Sequence, residues 1–405
     1  MPADQVNKNL KTPLLVNTLL LSTIIPLPAS ALDCIWTGGI GNWGDPNWTD
    51  CAGGSPAAAD NATINIGSVT AINNQNVQSY SQTNGTLTGP GDLTASGQTT
   101  LSGGAMSGDG TTRAEGGLTF NGTFFDVQGN RTLVNAGGQT ADWSSGNIRL
   151  LNTGSTLING TTAQLNITGA TRIQYGSGSF INDGTINVNT NDALQTISVV
   201  NLTNNGTIDV QQGTLHATDL NFSNDGTIRI ADGARMSGTR ALSNSAIGLF
   251  TGDGTIDPGT NFTFTNAGQI NPGDGIGELT VDGDMVMLTT SIFNVELGGL
   301  DNFDLLTVTG ESTLNGTLNV FLTNSFTPTA GQTFDILLTD ILLGEFSSVV
   351  GMNNPGFEWF VSYIINEEGQ DIARLGVSAV PLPAAGWLLL SGLGVLVTLG
   401  RRKRA

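Results

Sequence analysis

One phrase is written three times in succession, and its recurrence limits the fold more than any other feature of the chain. "NDGTINV" begins at Asn182, "NNGTIDV" at Asn204 and "NDGTIRI" at Asn224. Asn-Gly and Asp-Gly are turn dipeptides, expected to supply the positive φ of a tight corner, and the Thr-Ile-x-Val/Ile that follows alternates as a half-buried strand does. Each phrase therefore reads as a corner and a short strand. Its single apolar side is made by Ile186, Val188, Ile208, Val210, Ile228 and Ile230. A unit of that kind cannot bury its apolar side alone.

The glycines of the three phrases, at 184, 206 and 226, are 22 and 20 residues apart, which suits one coil made of two or three short strands. Echoes follow the same plan: "TNGTL" at Thr83, "FNGTF" at Phe120, "INGTT" at Ile158, "GDGTI" at Gly252 and "NAGQI" at Asn266. Coils stacked at about 4.8 Å pair each backbone group with the coil above or below and pile the inward Ile, Val and Leu into one interior. The expected fold is all-β, a parallel β-helix (solenoid) over residues 69–278, with on the order of ten coils and a length of roughly 50 Å. Asn182, Asn204 and Asn224 occupy equivalent corners, so their amides are expected to form a ladder along the stack. A Trp-rich N-terminal cap over 32–68 and a C-terminal β domain over 279–377, with longer strand runs, are expected to close the two ends.

Composition agrees with this expectation. Of 405 residues 56 are glycine and 12% are charged, which disfavours helices, while the regular alternation and small charge per residue argue against disorder. The formal net charge is −19. Setting aside Lys8, Lys11, Asp4 and the four basic residues of the tail leaves eight basic and 32 acidic residues, none of the eight being lysine. A body of that sign cannot neutralise phosphates, which excludes nucleic acid as a partner, and it has no lysine for Schiff-base chemistry.

The two ends read as addresses. Lys8 and Lys11 precede an apolar run over 13–25, and Ala29 and Ala31 are the small residues of a signal-peptidase site, so a signal peptide with an N-terminal signal helix is expected over 1–31. Near the other end, Val380, Pro381, Leu382, Pro383 and Ala384 precede an uncharged span to Gly400, followed by Arg401, Arg402, Lys403 and Arg404. The span suits a short transmembrane helix of roughly 25 Å, and the basic cluster is expected to stay cytoplasmic with the body on the far side of the inner membrane. This three-part tail, over 378–405, resembles the PEP-CTERM sorting signal in its VPLPA variant. The resemblance implies recognition by an exosortase-type membrane enzyme and delivery to the cell surface or beyond. The Trp-rich opening with "DNATINI" at Asp60, and the phrases after Ile270, are similar to the ends of autotransporter-like β-helices.

Cys34 and Cys51 are the only cysteines, and export would let them form a disulfide, contributing roughly 3 kcal/mol for a loop of this size. Without more ligands near them they make no zinc site, since the sole histidine, His216, is far away in sequence. Trp36, Trp43 and Trp48 invite two readings, a cap over the first coil or a platform for sugars, of which the cap is favoured.

Some β-helices cleave polysaccharides, and Asp183, Asp209 and Asp225 sit at comparable places in successive phrases. Two of these three lie in turn dipeptides, where aspartate serves the backbone, and no cluster of aspartate with arginine is visible. No catalytic residue is therefore assigned. Asp274, Asp282 and Asp284 could bind calcium weakly, but neither the nonapeptide calcium repeat nor an EF-hand loop is present, so no metal ligand or cofactor is assigned. The expectation is an exported structural protein of the cell surface or matrix, serving adhesion or biofilm organisation, with exopolysaccharide as candidate partner. A polysaccharide-active enzyme on the same scaffold is the competing class.

Overall fold

A computed structural model describes residues 31–379 except 175, 219–220, 241 and 352–356. Ala29, the motif Val380 to Ala384 and the basic cluster Arg401 to Arg404 lie outside the described residues. Among those described there is no helix, and so none long and apolar enough to cross a membrane.

The described chain winds as an all-β parallel solenoid of about 12 coils. One coil shows the plan: Ser79–Gln82 lies on a first face, Thr86–Thr88 on a second and Leu93–Ala95 on a third, after which Thr99–Leu101 returns to the first in register with Ser79–Gln82. Later corners are absorbed into the strands. Thr185–Ser198 and Thr207–Thr218 each serve the first and second faces, and Leu305–Leu314 serves the second and third. Parallel register begins with Asp33 opposite Asn61 and persists to Val320 opposite Gly351, running on past the expected boundaries at 69 and 278.

Alternation decides what is inside. On the first face Ile186, Ile208, Ile228, Phe250, Ile270, Phe293 and Leu318 are successive partners, and all are fully buried. At about 1.5–3 kcal/mol for each such side chain removed from water, these columns dominate the stability of the stack. The third face adds a polar column. Asn135, Asn159, Asn182, Asn204, Asn224, Asn244 and Asn266 point inward at 0–2% exposure, and the Nδ2 of each of the first six donates to the Oδ1 of the next at 2.7–2.9 Å. The ladder expected for Asn182, Asn204 and Asn224 exists and spans seven coils.

The reason for the phrase glycines is corrected by the structure. Gly184, Gly206 and Gly226 do not have positive φ. Glycine is required there because a Cβ on Gly206 would collide with the carbonyl oxygen of Gly184, and one on Gly226 with that of Gly206. Close approach between coils, rather than turn handedness, selects the residue.

The ends close differently. At the start, Asp33–Trp36 pairs parallel with Asn61–Ile64 and antiparallel with Trp48–Thr49, and a disulfide joins Cys34 to Cys51 with Cα atoms 4.9 Å apart. Trp36, Trp43 and Trp48 are 0%, 3% and 5% exposed, and Trp48 packs within 5.3 Å of the first ring and 4.9 Å of the second. Their faces are covered, so they pack the first coil and do not offer a sugar platform. At the other end, the hairpin of Phe357–Ile365 and Asp371–Ala379 lays its second strand antiparallel against Thr333–Gly344.

Candidate functional site

With the inward side chains committed to the core, function falls to the outward columns. On the first face Asp142, Asn166, Asn187, Asp209, Arg229 and Thr251 are successive partners. Neighbouring coils link them: Asn166 Nδ2 donates to Asp142 at 3.0 Å, Asn187 to Asn166 at 2.9 Å, and Arg229 to Asp209 at 2.9 Å. Further along, Asn294 donates to Asn271 and Asn319 donates to Asn294 at 3.1 Å.

This face opens into a groove of about 360 Å³, near the lower end of the ~300–1,000 Å³ of small-ligand sites. It forms where the chain leaves the coil plan. The stretch Pro272-Gly273-Asp274-Gly275 turns out of the face with positive φ at both glycines, and the strand Ile292–Gly299 continues into a short antiparallel pairing with Asn302–Phe303. The floor and walls are Gln269, Asn271, Asn294, Asn319, Glu296 and Phe321, with Asp274 at the rim.

Asp304 lies beneath, 1% exposed, accepting the Gly277 N–H at 2.9 Å and the Glu296 N–H at 2.8 Å. Burial pushes its carboxyl up to about 7 against those two N–H donors, with the nearby charges of Glu296 and Asp253 adding to the rise. A carboxyl that titrates near neutrality beside a second carboxylate resembles a general acid in outline. Asp304 lines the groove, yet both of its oxygens are engaged by backbone N–H groups, which fasten the excursion to the coil.

The acidic candidates of the sequence do not converge. Asp183 accepts from Asn205 at a corner, Asp225 lies at a later corner, and Asp209 is on the first face paired with Arg229. The sequence expectation that aspartate and arginine do not cluster is overturned: Arg229 bridges Asp209 and Asp274, and Arg235 bridges Asp257 at 2.6 Å and Asp282 at 2.9 Å. Asp284 accepts the Glu311 N–H, so Asp274, Asp282 and Asp284 serve three separate partners. Among the described residues, the one trio of metal-type ligands drawn together is Cys34, Cys51 and Asp60, whose sulfurs are already joined as a disulfide and offer no thiolate.

A serine and a histidine also meet, undetected from the sequence. His216 Nδ1 lies 2.7 Å from Ser237 Oγ, and Asp257 follows Ser237 on the next coil. Burial holds the imidazole pKa below its ordinary value, so the ring is neutral at pH 7. The order is wrong for a hydrolase triad, because the carboxylate must orient the histidine from its other nitrogen, whereas Asp257 sits beyond the serine. Ser237 is also 4% exposed. No protein-family model matches the chain, and no curated protein matches it.

Proposed function

We propose that this is an exported structural protein of the cell surface or extracellular matrix, which uses its outward polar columns to associate with exopolysaccharide. The observation that carries the reading is the amide and carboxylate column of the first face, repeated coil after coil and opening into the groove of Asn271, Asn294 and Asn319. A periodic row of amides offers a long polymer many equivalent weak contacts, which add through multivalency. The N-terminal signal would direct export. The C-terminal segment would hold the chain at the inner membrane until an exosortase-type enzyme processes it at the VPLPA motif.

Two measurements test this. Mass spectrometry of cell-associated and released protein should find the terminus with Arg401 to Arg404 removed, and an intact terminus on mature protein rejects the sorting step. Incubation with several bacterial polysaccharides should yield retention without new reducing ends or unsaturated products. Turnover that depends on a defined aspartate would establish the enzyme class instead.

A further inference from the structure

The groove has a charge and a set of free hydrogen-bonding valences that narrow the sugar it suits. Asn294 Nδ2 donates to both Gln269 Oε1 and Asn271 Oδ1, and Asn319 Nδ2 is spent on Asn294. What remains displayed is the Nδ2 of Asn271, the Nε2 of Gln269 and the Oδ1 of Asn319, a mixed donor and acceptor set that fits ring hydroxyls. Glu296 is half-buried in the same wall, beside Phe321 on the following coil, and its carboxylate accepts no hydrogen bond among the described residues. The guanidinium of Arg229, which reaches Asp274 at the rim, is already divided between Asp209 and Asp274.

We propose that this groove is a subsite for a polysaccharide whose sugar units carry free amino groups, the ammonium pairing with Glu296 and the hydroxyls with Asn271, Gln269 and Asn319. The inference rests on the reading of the protein as glycan-associating and specifies the class of glycan. A uronate polymer meets only negative and neutral groups in the groove. A neutral sugar can offer Glu296 a hydroxyl donor but leaves its charge uncompensated, so it gains less there than an ammonium does. A bare divalent cation would need several carboxylates drawn together, and the groove's acidic residues do not form such a group among the described residues. The ammonium satisfies the carboxylate, and the Phe321 ring supplies an apolar wall for the sugar's C–H face.

The test uses the full-length protein at pH 6, titrated with oligomers of glucosamine, of N-acetylglucosamine and of galacturonate. Glu296→Gln is compared with Glu367→Gln, which makes the same charge change at an exposed turn of the C-terminal hairpin. The expected order is amine above N-acetyl above uronate, with Glu296→Gln weakening the amine oligomer roughly tenfold and Glu367→Gln leaving it unchanged. Equal binding of amine and N-acetyl oligomers overturns the amine assignment while glycan association survives. Amine binding indifferent to Glu296→Gln, or reduced as much by Glu367→Gln, overturns the groove as the site. No binding of any oligomer by folded protein overturns both this inference and the glycan reading.

Discussion

The coils from Asn135 to Asn266 and the coils that flank them both hold polar groups in their interior, and they satisfy them in opposite ways. In the middle, each asparagine of the ladder is met by an identical amide one coil away, with backbone carbonyls such as that of Thr207 taking the second amide hydrogen of Asn182. In the flanks the equivalent positions are apolar, Ala95 and Ala114 before the ladder and Met287 after it. Buried polar groups there form no such column, although Ser312 is bonded to Thr339 at 3.0 Å. Arg131 is fully buried and held by Thr112 Oγ1 and the carbonyl of Gly91, while Asp304 is held by two N–H groups. A repeated register lets one solution serve seven coils, and where the register varies each group needs its own.

That contrast is open to direct attack, and the solitary groups should be the most costly. The folded state raises the Asp304 carboxyl from 3.8 to about 7, so it binds the proton more tightly than the unfolded chain does. Its contribution is therefore full below pH 4 and is lost as pH rises through 7, a decline on the order of 4 kcal/mol. Unfolding midpoints between pH 4 and 8 should show this slope in the native protein and lose it in Asp304→Asn. Equal slopes would place the proton elsewhere. Arg131→Met should cost about 3 kcal/mol, because Thr112 and the Gly91 carbonyl lose a buried charged donor, and urea unfolding measures it.

Within the ladder the cost should depend on position. Asn204→Ala strips the donor from Asn224 Oδ1 and one acceptor from Asn182, creating a new buried oxygen without a donor, at about 2 kcal/mol. Asn135 Oδ1 already lacks a donor, since Ala114 precedes it. Asn135→Ala merely moves the open end of the ladder to Asn159, so the number of orphaned oxygens is unchanged and the loss should be about 1 kcal/mol. Denaturation of the two variants side by side decides between a polarised chain of amides and seven independent residues; equal losses favour the latter.

The same contrast explains what could be read in advance. Ile186, Val188, Ile208 and Val210 were legible as core because alternation and a spacing of 20–22 hold together there. The separation of coil partners is 18 residues between Asn61 and Ser79 and 31 between Thr317 and Ser348, so no fixed period marks the flanks. Asn182, Asn204 and Asn224 announced the ladder through their shared phrase, whereas Asn135 and Asn244 are followed by longer corners and carried no such mark. The arginine bridges were invisible because their partners are 20, 22, 45 and 47 residues away, one or more coils distant. The groove needs side chains from 251 to 321, which only winding brings together.

The glycines at 184, 206 and 226 carry a consequence for how such a molecule changes size. Gly206 leaves room for the carbonyl of Gly184 and offers its own to Gly226, so the seat is passed unaltered across these three coils. A duplicated gene segment of one period in this stretch would find that seat ready at both junctions and lengthen the rod by one strand spacing, about 4.8 Å. A segment of half a period would drive a Cβ into a carbonyl and turn aliphatic columns toward solvent. Length is thus heritable in whole steps.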